Sequence, residues 1–223
     1  TPMSRAVLGR GGYLDKYIGD AVMAVFGAPL RRPDHAAAAL DAAIALHQAL
    51  RARAPALAAR GVDVDIGVGV NTGEAVVGNL GSAVRFDYTA VGDAVNLASR
   101  LEGLTKVYGV ACLIGDATAA AAPEHRTREI DRVRVKGKAQ PAALHELLAG
   151  PAGELARYDD LDRFAAALAA YRAGDFAAAD AAFRDFAAQN PHDRVAPLYR
   201  ARIAAHGGAP PPGWDGVTVF QTK

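Results

Sequence analysis

Lys16 and Asp20 flank the turn of the stretch Tyr13-Leu-Asp-Lys-Tyr-Ile-Gly-Asp-Ala-Val-Met-Ala-Val-Phe-Gly27, which reads as two short strands joined at Gly19-Asp20. Gly accepts positive φ and Asp tolerates turns, so the pair suits a hairpin centre. Simple alternation puts Leu14, Lys16 and Ile18 on one face and Tyr13, Asp15 and Tyr17 on the other. The second strand, 21–26, is almost wholly apolar, as a strand buried on both faces would be. A carboxylate at the mouth of such a strand is costly to desolvate unless something positive faces it. Asp20 is therefore either a metal ligand or part of an ordinary surface turn. Asn96 and Arg100 lie one helical turn apart, and an amide beside a guanidinium suits an anionic, hydrogen-bonding substrate. A solvated polar face is the alternative. Lys136 and Lys138 flank a glycine that would let backbone approach a ligand closely, or simply form an exposed turn. Only five of the 25 basic residues are lysines, so each one stands out in this arginine-rich chain.

The elements that must position these groups follow from pattern. Asp34 is a good N-cap for a helix running to about residue 57, with Leu40, Ile44, His47 and Leu50 at helical spacing. His47 reads as a packed core histidine, because no second ligand type stands at metal spacing from it. Residues 62–70 alternate as a strand, 71–73 turn, and 74–78 return as its partner. Gly73 and Gly78 have the spacing of a phosphate-binding loop, but Asn79-Leu80 replaces the required Lys-Ser/Thr and excludes that motif. Residues 79–82 read as a polar loop or extended arm, and 85–91 as a strand. A helix follows from Gly92-Asp93 to Tyr108, burying Leu97, Leu101, Leu104 and Tyr108. Residues 110–114 read as a buried strand, 116–122 as a short helix or loop, and 126–148 as two strands around 135–139. Pro151-Ala-Gly153 marks a boundary, giving units of 1–150 and 151–223. Beyond it the pattern is helical and alanine-rich, with stripes at Leu161, Phe164, Leu168, Tyr171 and at Phe176, Ala179, Phe183, Phe186. A third helix is expected over 197–205. This arrangement resembles a single tetratricopeptide unit, which cannot bury its own face and must pack on the preceding residues or on a partner. A proline run at 210–212 leads to residues 214–220, a last strand or a docking tail.

A formal net charge of +1 gives no general pull toward nucleic acid or acidic membranes. The single cysteine, Cys112, excludes an internal disulfide and fits a reducing compartment. No run approaches the ~18 apolar residues of a membrane span. The first residues form no signal peptide. Met3, Val7 and Leu8 read as the end of a helix already under way, so the chain is expected to be a piece of a longer one.

Three stretches together resemble the class III nucleotidyl cyclases: residues 12–27, residues 86–102 (Phe86-Asp-Tyr-Thr-Ala-Val-Gly-Asp-Ala-Val-Asn-Leu-Ala-Ser-Arg-Leu-Glu102) and residues 135–138 (Val135-Lys-Gly-Lys138). The resemblance covers roughly residues 1–148. It implies an α+β fold, a ferredoxin-like mixed and antiparallel sheet covered by helices but lacking its first strand, followed by a small helical-hairpin region. It also implies an adenylyl cyclase that converts ATP to 3′,5′-cyclic AMP and pyrophosphate, assisted by two Mg2+ or Mn2+ ions. Asp20 matches one of the family's two metal-binding aspartates. Lys16 and Thr89 match the purine-reading pair, Asn96 the ribose-orienting residue, and Arg100 and Lys136 the phosphate-stabilising pair. An ammonium donates to adenine N1, and a threonine oxygen accepts from the N6 amino group. Guanylyl cyclases typically carry a glutamate where Lys16 stands, which favours ATP, although threonine replaces the aspartate of many adenylyl cyclases. The family's site forms between subunits, so a chain with both sets of residues implies a head-to-tail homodimer, helped by an arm at 79–86. A bacterial signalling protein is expected, cytoplasmic or the cytoplasmic part of a membrane-anchored sensor, with no nucleic-acid partner. The family's other metal aspartate lies on a strand before the point where this sequence starts, so the chain alone is expected not to turn over ATP. The alternatives are a guanylyl cyclase, a non-catalytic nucleotide-binding and dimerising regulatory module, and an interaction scaffold built on the helical region.

Overall fold

The computed structural model describes residues 2–81, 86–135 and 141–220. The chain begins with α1 (Pro2–Leu8) and a hairpin of β1 (Tyr13–Ile18) and β2 (Ala21–Val25). Helices α2 (His35–Arg51) and α3 (Ala54–Ala58) follow, then β3 (Val68–Val70), β4 (Val76–Gly81), β5 (Phe86–Val91) and α4 (Asp93–Tyr108). Next come β6 (Cys112–Gly115), α5 (Asp116–Ala121), β7 (Arg126–Val135), β8 (Ala142–Gly150) and β9 (Gly153–Glu154). The chain closes with α6 (Leu161–Ala173), α7 (Phe176–Gln189), α8 (Val195–Ala205) and β10 (Thr218–Phe220).

The expected α+β architecture is present. The main sheet runs β10-β7-β8-β6-β3, with β9 added to β8. β7, β8 and β6 are antiparallel neighbours, whereas β10 joins β7 and β3 joins β6 in parallel. Successive residues of β6 serve opposite faces, as the pleat demands. Cys112 and Ile114 pack with α2 residues Leu40 and Ile44 on one side. Leu113 packs on the other side with Leu101 and Tyr108 of α4 and with Phe164, Phe183 and Tyr199 of α6, α7 and α8. The helical region therefore finds its cover within this chain, on the same face as α4.

Several local expectations are corrected. Asp34 stands at the start of α2 but makes no capping bond, because its carboxylate is held by Arg32 at 2.6 and 3.0 Å. The helix expected to reach residue 57 stops at Arg51, and α3 continues it as a separate turn. Only 68–70 of the expected strand 62–70 pairs; it lies at the sheet edge, and Val62 and Val64 are exposed. Residues 74–78 do not return beside that strand. β4 instead pairs antiparallel with β5, and β3 reaches its parallel neighbour β6 through the α4 crossover. β2 is not buried on both faces, for Ala21 and Val22 are exposed in a two-stranded sheet of their own.

His47 is a core residue as expected, 4 % exposed, with Nε2 3.1 Å from the Ala111 carbonyl. No helix among the described residues is long and apolar enough to cross a membrane.

A buried arginine pins the helical region to the sheet. Arg128 of β7 donates to Glu146 of β8 at 2.7 Å and to Asp193 before α8 at 2.5 Å, with Tyr158 over its guanidinium at 3.9 Å. Burial pushes the Glu146 carboxyl above its usual range despite this cation. Asp193 also accepts from the Ala196 amide at the start of α8. Removing the cation would strand two buried carboxylates, so Arg128→Met is expected to cost about 3–5 kcal/mol in urea unfolding. Burial holds the His47 pKa below 6.5. The unfolded chain then binds the extra proton first, so stability is lost as pH falls below about 6.5. His47→Gln is expected to flatten that part of the stability–pH curve.

Candidate active site

The β1–β2 hairpin turns at Gly19-Asp20, with Gly19 at φ 64° and Ile18 opposite Ala21. Asp20 is exposed at that turn. The strand before it does not alternate simply. Leu14 faces Ala24 and Lys16 faces Met23, so Asp15 is the extra residue of a bulge. The expected placement of Asp15 and Lys16 on opposite faces is thereby corrected: a bulge re-aims the side chains beside it. Lys16 Nζ lies 3.6 Å from Asp15 Oδ1. On the other side, Thr89 Oγ1 of β5 donates to Asp15 Oδ2 at 2.6 Å. Tyr13 straps the two strands together just beside this contact. Its hydroxyl donates to the Tyr88 carbonyl at 3.2 Å, and the two rings meet edge to face at 5.3 Å.

Lys16 and Thr89, far apart in sequence, are thus gathered by one carboxylate. The Asp15 side chain is 1 % exposed, and Oδ1 has no hydrogen-bond partner. From the sequence, Asp15 falls on the face opposite Lys16 with no role assigned to it. The available signal was an acid directly before a lysine in a strand otherwise built from Tyr, Leu and Ile. With its proton committed to Asp15, the Thr89 hydroxyl has only lone pairs left to offer, whereas an ammonium only donates. The patch presents a donor beside an acceptor.

Asn96 and Arg100 are exposed, one turn apart, on α4. The helix is seated by a close backbone approach. A Cβ on Gly69 of β3 would collide with the Ala98 carbonyl and the Glu102 amide. Asn71 Nδ2 donates to the Ala94 carbonyl at 3.0 Å, holding the first turn. The structure therefore brings Lys16 and Thr89 together through Asp15 and sets Asn96 and Arg100 side by side. Asp20 stays at the hairpin tip, and Lys136 lies outside the described residues. Among the described residues no three His, Cys, Asp or Glu side chains gather as a metal site. Asp20 is a single exposed carboxylate, too few ligands to hold a divalent cation unless others join it.

Residues 9–147 match the adenylate and guanylate cyclase catalytic domain family. The chain belongs to that family. An adenylate cyclase of Anabaena cylindrica is 40 % identical over 156 residues, covering 66 % of this chain and 30 % of that protein. Two solved structures share the cyclase fold. The guanylyl cyclase Cya2 has a TM-score of 0.63 at 31 % identity, over 69 % of this chain and 80 % of that one. The adenylyl cyclase CyaB from P. aeruginosa has a TM-score of 0.60 at 33 % identity, over 66 % and 77 %. The chain spans less than a third of the length of the curated cyclases it matches.

The seating of the cyclase helix α4 is open to a direct check. Gly69→Ala is expected to lower stability by about 1–3 kcal/mol through overpacking. Gly103→Ala, where a Cβ meets nothing within 4 Å, is expected to be neutral or stabilising by up to ~1 kcal/mol. Urea unfolding of the two variants measures both.

Proposed function

We propose that this region is the catalytic part of an adenylyl cyclase. The ribose 3′-oxygen of ATP attacks its own α-phosphorus. The new O3′–P bond forms as the bond to the β-phosphate breaks, the hydroxyl proton is lost, and pyrophosphate leaves. The observation that carries the reading is the donor–acceptor patch made by Lys16 and Thr89. Adenine presents an acceptor at N1 beside a donor at N6, the complement of that patch. In this reading Asn96 orients the ribose, while Arg100, with Lys136, stabilises charge that develops on the phosphates. Asp20 would be one ligand of the Mg2+ or Mn2+ ions proposed as cofactors.

These residues are proposed to act across a head-to-tail homodimer, with Asp20 serving one site and Lys16 and Thr89 the other. Support for an interface comes from large apolar side chains left exposed on the two hairpins. Ile18 is 59 % exposed, Phe86 62 % and Val76 63 %. Exposed apolar groups on adjoining elements are what a partner subunit could cover. Residues 1–150 are proposed as the catalytic unit and residues 151–223 as a helical appendage docked on it.

A guanylyl reading has the likeness to Cya2 behind it. Lys16 stands against it, because guanine N1 is a donor and would meet an ammonium. Lys16→Glu is expected to weaken ATP use in the full-length protein. It should lower kcat/KM for ATP by about tenfold or more, the effect of one charge-assisted hydrogen bond at ~1.5–3 kcal/mol. Cyclic AMP and cyclic GMP formation from matched ATP and GTP measures this. Unchanged ATP kinetics would refute the base-reading role of Lys16.

A further inference from the structure

We propose that Asp15 is a positioning residue that sets the polarity with which the site reads the purine edge, and so makes it select adenine. The inference rests on reading Lys16 and Thr89 as the base-reading pair and adds a third residue that decides what the pair can say. A threonine hydroxyl is ambiguous by itself, since it can donate to guanine O6 as readily as it accepts from adenine N6. Here the ambiguity is removed. Thr89 Oγ1 donates to Asp15 Oδ2 at 2.6 Å, and Thr89 is only 8 % exposed. A carboxylate can only accept, so the threonine proton points at Asp15 and its lone pairs are left for the base.

The second oxygen acts on Lys16. Asp15 Oδ1 is buried, has no hydrogen bond, and lies 3.6 Å from Lys16 Nζ. It draws the ammonium to the same side of the bulged strand as Thr89. Without the bulge at Asp15 the two side chains would alternate to opposite faces. One carboxylate therefore fixes both the place of the donor and the sense of the acceptor. A hairpin stabilised by an ordinary Asp–Lys pair would need neither the bond to Thr89 nor a side chain 1 % exposed.

Asp15→Asn tests this with little change of shape. Beside Lys16 the amide is expected to turn its carbonyl oxygen toward the ammonium, which leaves its NH2 facing Thr89. Thr89 then accepts from Asn and turns its own proton outward, toward the position of guanine O6. Affinities of ATP and GTP are measured by competition with a fluorescent ATP analogue, alongside kcat/KM for each in the full-length protein. The ATP:GTP ratio does not depend on the fraction of protein that is folded. Asp15→Asn is expected to lower that ratio about tenfold, equivalent to ~1.4 kcal/mol. Asp15→Ala, which frees the hydroxyl rotor, is expected to lower it less. Thr89→Val and Lys16→Ala serve as controls for the pair itself. If both controls move the ratio while Asp15→Asn leaves it unchanged, or weakens the two nucleotides equally, the role of Asp15 is overturned alone. If none of the four variants moves the ratio, the base-reading pair fails with it.

Discussion

A carboxylate removed from water must be answered by charge or hydrogen bonds, and in this protein the answers to Asp15 come from two separate pieces of chain. Thr89 approaches from β5 and Lys16 from the next residue of β1. The contact with Lys16 is not available to a regular strand, because neighbouring side chains would diverge. The bulge at Asp15 resolves that conflict. The hairpin, the β4–β5 ribbon and the Tyr13–Tyr88 contact are then constrained to meet at one place. The local irregularity is what brings Lys16 and Thr89 to one carboxylate.

A second buried carboxylate organises the opposite end of α4. Asp131 Oδ2 accepts from Tyr108 of α4 at 2.6 Å, from Arg202 of α8 at 2.8 Å and from Thr218 of β10 at 2.9 Å. Burial, reinforced by Asp131, pushes the Tyr108 hydroxyl far above its usual pKa, so it stays a donor. The helix that carries Asn96 and Arg100 is thereby tied at its C-terminal end to the last helix and the last strand. With Arg128 pinning Asp193 to the sheet, the C-terminal helices hold α4 through paired charges as well as apolar area. Such networks specify one arrangement, since a partial one leaves a buried group unpaired.

Helical stripes were legible in the sequence because their period is local. Leu97, Leu101 and Tyr108 are buried as their spacing implies. The C-terminal helices lie close to their expected positions, although α8 begins at Val195, ahead of the expected 197. The hairpin centre was legible from Gly19-Asp20. Strand partnership was not, because period 2 says which face a residue takes and nothing about its neighbour. The pattern at 62–78 therefore suggested a hairpin where β3 in fact pairs with β6 and β4 with β5. Asp34 misled for a related reason: a good cap residue is also a good partner for Arg32, and the guanidinium took it. Within the candidate site, Asn96 and Arg100 followed from helical spacing, and the motif pointed to Lys16 and Thr89. The part played by Asp15 was hidden because a bulge leaves no mark in a hydrophobic pattern.

Substrate choice is the finer question, and overall likeness does not answer it. A guanylyl and an adenylyl cyclase structure resemble this chain almost equally, at 31 % and 33 % identity. A scaffold shared by both activities has to place the difference in a few polar atoms. A pair of base-edge hydrogen bonds of the right sense, worth ~1–3 kcal/mol, is enough to separate two purines. The sense of such a bond depends on where a proton sits, and a hydroxyl holds its proton wherever its strongest acceptor lies. In this chain that acceptor is a buried carboxylate on the adjoining strand. Selectivity would then follow from the residue that orients the reader as much as from the reader itself, so a family member keeping Lys and Thr but losing the acid would be expected to discriminate less.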